Sequence, residues 1–410
     1  MKSHKIKVCR NCKSKKFKKL LDLGNHAFSG YFPNKIRNEK KYPLILIRCE
    51  ICSLVQLSHN FELSKMYGKD YGYRSGLNES MVKHLKNKSK LLKKKYRLEN
   101  KNLIIDIGAN DGTFLHFFNN YKNLIAIDPT ISKFKKYYTN KKIIKIEDFF
   151  NSSLLTRDLK NKKADIITSL SMFYDLPNPN QFVNTISKIL SDKGVWHFEQ
   201  SYLPEMLKKK SFDTICHEHL EYYDIRVVKN ILEKNNLKII DIVFNDINGG
   251  SFCIDAVKNT NNIKYNKNKI KKLIDIENQV YKNYHKKFSD LKKDITKIKT
   301  KLKNILKKLN LNNKKVYLYG ASTKGNTLLQ YFKINEKTVK GAFEINKDKF
   351  NCYTPGSNIK IIDEKKMSFI KPDYLLVLPW HFQKFFIKNK KNLNYKNFKY
   401  IFPLPKVKIY

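Results

Sequence analysis

Asp106, Gly108, Asn110 and Gly112 form the pattern D-x-G-x-N-x-G within Leu103-Ile-Ile-Asp-Ile-Gly-Ala-Asn-Asp-Gly-Thr-Phe-Leu115. An apolar run ends in an acid, a turn carries two glycines, and apolar residues at helical spacing resume. This predicts a buried parallel strand feeding a glycine turn and then a helix. With no Cβ at 108 and 112, the backbone N–H groups around Ala109 can approach a ligand closely. Roughly twenty residues on, Leu124-Ile-Ala-Ile-Asp128 reads as a second strand ending in an acid, placed to accept both hydroxyls of a ribose. Asp148 and Phe149 follow a third strand, where they can meet the amino group and ring of an adenine. The third glycine that a dinucleotide pyrophosphate calls for is missing. A nucleoside-bearing ligand is the expectation, and an ordinary buried βαβ turn is its rival.

The segment Phe212-Asp-Thr-Ile-Cys-His-Glu-His-Leu-Glu-Tyr-Tyr223 puts two histidines, three acids and two tyrosines into twelve residues. In an extended conformation His217 and His219 share one face and Glu218 takes the other. That density of titratable and aromatic groups suits a catalytic segment. A metal-binding HxH pair and a satisfied, partly buried histidine cluster are the competing readings. Further on, Gly320-Ala-Ser-Thr-Lys-Gly325-Asn-Thr327 follows an apolar run. Asn326 stands where a phosphate loop has its lysine. The turn still offers N–H groups at a helix start, with Lys324 inside it, and a diphosphate suits such a place. A plain strand-to-helix turn would look the same.

Cys9-Arg-Asn-Cys12 and Cys49-Glu-Ile-Cys52 are two CxxC knuckles with 36 residues between them. Each can present two thiolates to one tetrahedral ion. The spacer exceeds the roughly 15–20 residues of a zinc ribbon and carries extended segments at Lys19–Leu23 and Tyr42–Arg48. With seven cysteines in all, a reduced compartment with one zinc site fits better than disulfides. Four unrelated thiols or a redox pair are the weaker alternatives.

The elements that must hold these groups follow from periodicity. A Lys-rich helix is expected near 79–97, then strands at 103–107, 124–128, 142–146, 165–169 and 194–198, with a helix over about 179–191. Strands 237–244 and 251–257 flank Asn248-Gly-Gly250, a hairpin signal that makes the last strand antiparallel. Residues 265–310 alternate Lys with Ile and Leu at helical spacing. A second α/β unit has strands at 316–319, 339–343 and 374–378. At 410 residues the chain has room for two or three cores, and no apolar run reaches membrane-spanning length. The first residues lack the apolar stretch of a signal peptide, so a cytoplasmic location is expected. The 83 Lys and Arg against 36 Asp and Glu give a net charge of +47. The excess is scattered in Lys- and Asn-rich runs, which reads as a solvated surface rather than a nucleic-acid face.

The D-x-G-x-N-x-G loop resembles the S-adenosylmethionine loop of class I methyltransferases, whose core is a parallel sheet with a terminal hairpin. Taken together, the motifs resemble the sugar C-methyltransferase family of three-domain enzymes acting on nucleotide-linked keto-sugars. The resemblance spans nearly the whole chain. It includes the paired CxxC, Tyr71-Gly-Tyr-Arg-Ser-Gly76, the glycine loop and His217-Glu-His-Leu-Glu-Tyr-Tyr223. It continues through Asn248-Gly-Gly-Ser251, Tyr319-Gly-Ala-Ser-Thr-Lys-Gly-Asn326, Tyr353-Thr-Pro-Gly356 and Leu378-Pro-Trp380.

The resemblance implies an α/β protein with a class I methyltransferase Rossmann-like core (81–258). A small N-terminal zinc-binding domain (1–80) precedes it, and a C-terminal Rossmann-like α/β domain with leading helices (259–410) follows. Asp106, Gly108, Ala109, Asn110, Gly112, Asp128, Asp148 and Phe149 would hold S-adenosylmethionine, whose sulfonium the carboxylates favour. Cys9, Cys12, Cys49 and Cys52 would hold a structural zinc. His219 would be the base that removes a proton beside the sugar ketone, with Glu218 close to the sugar. Tyr71 and Tyr73 would close the site and stabilise the enolate. Gly320, Lys324 and Asn326 would take the nucleotide diphosphate, and His217, Tyr222 and Ser75 would contact the substrate. The partner is then a nucleotide-activated keto-sugar, without nucleic acid or membrane, and the chain a monomer or homodimer. Cys216, where some members have an aromatic hydroxyl, and Asp175, near where others have histidine, depart from the pattern. O- or N-methylation of a sugar nucleotide remains an alternative, as does a zinc-containing nucleic-acid-binding protein or RNA methyltransferase.

Overall fold

Seven strands form the central sheet, in the order Ile143–Ile146, Asn123–Ile127, Leu103–Ile107, Ala164–Leu170, Leu190–Ser201, Ser251–Lys258, Leu237–Asn245. A computed structural model describes residues 3–68, 71–281 and 283–410. Residues 1–2 and 69–70 of the expected N-terminal unit lie outside the described residues, as does Lys282 between the long helices. The first five strands pair in parallel. Their apolar runs are buried, with Ile104, Ile105, Ala126 and Ile167 fully enclosed, as befits strands covered on both faces.

The expected hairpin forms, but its second strand turns inward. Ser251–Lys258 pairs antiparallel with both Leu237–Asn245 and Leu190–Ser201. The reversal uses left-handed φ at Asn248 (56°) and Gly249 (93°). A turn signal reports that the chain reverses, not which side of the partner the returning strand takes. The strand expected at 194–198 is longer, Leu190–Ser201, and so begins where the helix Pro179–Ile189 ends. The Lys-rich helix spans Glu79–Lys95, and the Asn78 side chain caps it by accepting from the N–H of Ser80 and Met81.

The N-terminal sheet runs Glu221–Tyr222, Val55–Leu57, Tyr42–Cys49, Phe17–His26, all antiparallel. Its first strand comes from the histidine-rich segment, more than 150 residues downstream of its neighbour. The C-terminal sheet has six strands, in the order Ile361–Asp363, Ala342–Glu344, Val316–Tyr319, Tyr374–Val377, Lys399–Phe402, Lys408–Ile409, with only the last antiparallel.

Two helices, Lys267–Tyr281 and Tyr284–Leu311, lead into the C-terminal sheet. The second buries Tyr284, Phe288, Leu291, Ile295, Ile298, Leu302 and Leu306, spaced three or four apart on one face. That stripe joins the N-terminal and C-terminal sheets in one apolar cluster, with Leu44 and Leu46 on one side and Leu328 and Phe343 on the other. Leu302 is fully buried there and Leu311, at the helix end, is 73% exposed. We expect Leu302→Ala to cost about 2–5 kcal/mol in urea unfolding, and Leu311→Ala to stay within about 0.5 kcal/mol of the parent.

Candidate active site and zinc centre

The four knuckle thiols converge. All four Sγ atoms lie within 4.8 Å of one another, with Cys9–Cys52 at 3.5 Å and Cys12–Cys49 at 3.4 Å. Four thiolates about 2.3 Å from a tetrahedral zinc have edges slightly under 4 Å, so the cage fits that ion. Gln56 donates to Cys9 Sγ at 3.3 Å, an outer contact that orients the ligand.

A cavity of about 310 Å3 opens at the carboxyl ends of the central strands, where open α/β sheets bind ligands. Asp106, Gly108, Ala109, Asn110, Asp128, Asp148 and Phe149 line it. Gly108 has φ 77°, and a Cβ there would come within 2.8 Å of Met172. Gly112 is absent from the lining. A Cβ on it would meet the Tyr138 ring at 2.7 Å, and that ring's hydroxyl donates to the Asn110 carbonyl. Its role is to let the turn pack rather than to touch a ligand. The N–H groups of Gly108 and Ala109 both point to the Ile127 carbonyl, so the turn offers close approach more than free donors.

Asp128 accepts from Asn110 N at 2.9 Å through one oxygen and from Thr130 N at 2.7 Å through the other. The Thr130 hydroxyl also donates to that second oxygen, so of about four lone-pair sites one, on Oδ2, stays open for a ribose hydroxyl. Asp106 is almost fully buried and accepts from the Thr168 hydroxyl at 2.6 Å. Burial pushes its carboxyl up to about 7, and the nearby Asp128 adds to the rise. Asp148 accepts from Arg157 at 2.8 Å and from the N–H of Phe149.

Residues 71–76 fold over this loop. Ser75 N donates to Asn110 Oδ1 at 2.9 Å, Asn110 Nδ2 to the Tyr73 carbonyl, and Gly76 N to Asp111 at 3.0 Å. Tyr71, Tyr73 and Ser75 thereby form part of the cavity wall. Tyr67 and Asp175 join them, linked by a 2.6 Å bond from the Tyr67 hydroxyl. Burial drives the Asp175 carboxyl well above its usual range. Opposite stands Glu199, which accepts from His84 at 2.9 Å and pairs with Lys88 at 2.8 Å. Burial opposes its charge, yet Lys88 and His84 hold it below the ordinary carboxylate range. Tyr67, His84, Lys88 and Glu199 were not foreseen. Glu199 alone had a signal, an acid after an apolar strand, as at Asp106 and Asp128.

His219 stands one side chain behind the wall. Its ring packs on Tyr174 at 4.3 Å, and Tyr174 directly precedes Asp175. Nδ1 lies 2.8 Å from the Thr214 carbonyl, so Nδ1–H donates and Nε2 keeps its lone pair. Burial, reinforced by the Lys324 charge, pushes its pKa down to about 3, which keeps the ring neutral. Glu218 is nearly enclosed beside Gly30, where a Cβ would sit 2.5 Å from its Oε1. Burial raises its pKa. Lys324 donates to the Asn248 carbonyl at 2.9 Å, and the Asn248 amide to the hydroxyl of Ser171, a cavity residue. Trp380 donates to Asp213 at 2.8 Å in the same seam, and burial lifts Asp213 to about 6. The 212–223 segment and the 320–327 turn, 97 residues apart at their near ends, therefore meet.

Four expected contacts fall elsewhere. His217 is fully buried against Phe28, Phe61 and Tyr42, because a turn at 217–218 replaces the extended chain that would have put both histidines on one face. Tyr222 is a buried strand residue with its hydroxyl toward the Thr214 carbonyl. Asn326 is fully buried and donates to the Ser29 carbonyl at 2.7 Å, holding the N-terminal loop. The Gly320 N–H bonds Phe343 O and the Ala321 N–H bonds the Glu344 carboxylate. A backbone carbonyl and an internal carboxylate thus each occupy one donor that the sequence leaves open for a phosphate.

Three family models match in chain order: a zinc binding domain at 9–67, a methyltransferase domain at 78–242, and a C-methyltransferase C-terminal domain at 246–405. The C-methyltransferase NovU of Streptomyces niveus is 23% identical over 411 residues, covering 98% of this chain and 97% of that protein. A solved S-adenosylmethionine-dependent methyltransferase from Clostridium acetobutylicum aligns with 43% of this chain and 92% of its own (13% identity, TM-score 0.36). Magnesium protoporphyrin IX methyltransferase of Synechocystis PCC 6803, solved with bound SAH, aligns over 48% and 92% (12% identity, TM-score 0.34). The sheet order and its carboxylate-lined cavity are those of a class I methyltransferase that uses S-adenosylmethionine. The chain thus carries, in order, units that match the zinc binding, methyltransferase and C-methyltransferase C-terminal models, and is similar along its length to a C-methyltransferase.

Cys49→Ser should release about one zinc per chain and destabilise the 17–57 sheet, since a closed zinc site contributes folding energy directly. Metal analysis alongside circular dichroism checks this. Asp106 loses its proton as pH rises through about 7, so the site gains negative charge above that pH. Affinity for cationic S-adenosylmethionine should rise roughly three- to tenfold from about pH 6 to about pH 8. The thioether product, lacking the sulfonium, should respond less in the same calorimetric titration.

Proposed function

We propose that this C-methyltransferase methylates the carbon beside the ketone of a nucleotide-linked keto-sugar, with His219 as the base. The observation that carries this reading is the neutral imidazole, whose Nδ1–H is held by the Thr214 carbonyl. Nε2 is then the one ring nitrogen able to take a proton. The bound sulfonium supplies an electrophilic methyl group. His219 Nε2 takes the carbon-bound proton as the ketone becomes an enolate. Asp106 and Asp128 would hold the methyl donor, which would give its methyl to the enolate carbon, its S–CH3 bond breaking to leave a neutral thioether. Tyr71 and Tyr73, on the wall of the same cavity, stabilise the enolate oxygen by hydrogen bonding. Ser75 holds the lid against Asn110, and Glu218 faces the sugar side of the seam.

The nucleotide diphosphate lies against Lys324. Burial depresses His219 most and the Lys324 ammonium adds to it, so the acceptor's charge relieves that second part and strengthens the base. This reading divides the chain near residues 80 and 258 into zinc-binding, cofactor-binding and nucleotide-sugar units. Among the described residues no helix is long and apolar enough to cross a membrane, and four reduced thiols at one site suit the cytoplasm.

His219→Ala should leave S-adenosylmethionine binding unchanged while turnover falls by about 10²–10⁴-fold. Incubation of the parent protein in deuterated water with a panel of nucleotide 4-keto-sugars, without methyl donor, should label the carbon next to the ketone. Retained activity in the variant would remove the base assignment. Methyl transfer without such labelling would point to an oxygen or nitrogen acceptor.

A further inference from the structure

We propose that Arg10, inside the first zinc knuckle, is a positioning residue that sets the register of the His219 segment. The proposal rests on the reading of His219 as base. Arg10 lies between two zinc-binding cysteines, yet its side chain turns away from the metal cage and is 3% exposed. Its N–H donates to Gln56 Oε1 at 3.1 Å, and the Gln56 amide donates to Cys9 Sγ. Nη1 donates to the Leu57 carbonyl at 2.8 Å and reaches the Leu220 carbonyl at 3.5 Å. Nη2 donates to His59 O at 2.9 Å and Asn60 Oδ1 at 2.6 Å. Nε lies 3.5 Å from Glu221 Oε1, with the two side chains 2% and 0% exposed. A planar guanidinium with five donors is thus spread over both strands of the junction.

The junction is where the catalytic segment needs help. Glu221–Tyr222 is a strand of two residues, paired to Gln56 and Val55. So short a strand specifies its own register weakly, and a slip of one residue turns every side chain to the opposite face. His219 would then exchange places with Glu218 or Leu220. Leu220 is clamped on both sides: its N–H donates to the Tyr174 carbonyl and its carbonyl accepts from Leu57 N, each at 2.8 Å. Among the described ion pairs Glu221 has one partner, Arg10. A buried pair is weak evidence for stability, because apolar replacements are often as stable. Fixing a register is the role in which such pairs are best attested. The zinc cage, through Arg10, thereby sets where the imidazole points, and Tyr174, on which that imidazole packs, is tied to the same clamp.

The test uses full-length, zinc-loaded protein with Glu221→Gln, Arg10→Gln and Arg10→Lys. Amide hydrogen exchange in a peptide spanning 214–223 should quicken by about tenfold or more in Glu221→Gln and Arg10→Gln. The peptide spanning 103–107 and the zinc content should stay as in the parent. Arg10→Lys, which keeps the charge without the fork, should restore part of the protection. On a keto-sugar that the parent turns over, kcat should fall about tenfold or more with KM for S-adenosylmethionine unchanged. Unchanged exchange at 214–223 in all variants overturns the proposal. Loss of zinc with faster exchange at 103–107 in both Glu221→Gln and Arg10→Lys also overturns it, since Arg10 would then merely hold the fold. If the parent labels no keto-sugar, the functional reading fails, and the amide exchange still decides whether Arg10 sets the register.

Discussion

The placement of the histidine-rich segment hangs on two backbone pairings between residues far apart in the chain, Glu221 with Gln56 and Tyr222 with Val55. They make the histidine-rich segment an edge strand of the zinc-closed sheet rather than a free loop of the methyltransferase core. Edge pairing supplies backbone acceptors and donors that a buried segment must find somewhere. A turn at His217 and Glu218, in which the His219 N–H bonds the Cys216 carbonyl, breaks the extended alternation just before that strand. His217 enters the aromatic core of Phe28, Phe61 and Tyr42, while His219 turns to the Thr214 carbonyl and Tyr174. The turn therefore separates a histidine packed among aromatic rings from one held beside Tyr174.

The electrostatics of the cavity differ from those of the molecule. A chain with net charge +47 surrounds its cofactor with Asp106, Asp128, Asp148, Asp175 and Glu199. Surface lysines are screened within about 10 Å at ordinary salt, so a ligand inside the cavity responds to the near carboxylates. Burial makes Asp106, Asp128 and Asp175 reluctant to ionise. Asp106 and Asp175 are pushed up, and a sulfonium entering beside them favours the charged form. Glu199 is the exception because Lys88 and His84 compensate it within the core. At the seam the sign reverses. Lys324 sits near Asp213 and His219, and the Trp380 indole anchors Asp213. A carboxylate-lined pocket and a seam that carries a lysine ammonium lie side by side.

The architecture also ties three cores into one body. The apolar face of Tyr284–Leu311 packs against both outer sheets. Asn11 of the knuckle accepts from Asn180 at 2.9 Å through its carbonyl, and donates to Asn230 at 3.1 Å through its amide, on two helices of the methyltransferase core. The zinc unit is therefore a wedge gripped from both sides, which suits a part that must hold a lid over Asn110 and Asp111.

Sequence alone determined the strand-turn-acid order of the cofactor loop, the paired thiols and the hairpin, because each is a local pattern of chain direction and side-chain periodicity. The lining residues Asp106, Gly108, Ala109, Asn110, Asp128, Asp148 and Phe149 were legible for that reason. It could not say that Gly112 serves Tyr138, that Glu344 fills the turn at Ala321, or that Asn326 holds Ser29. Those roles depend on what a distant element brings against the turn. Tertiary structure alone decided that Arg10 meets Leu220, 210 positions away. Its pairing energy is spread over sheet register and buried shape rather than written in any short stretch of residues.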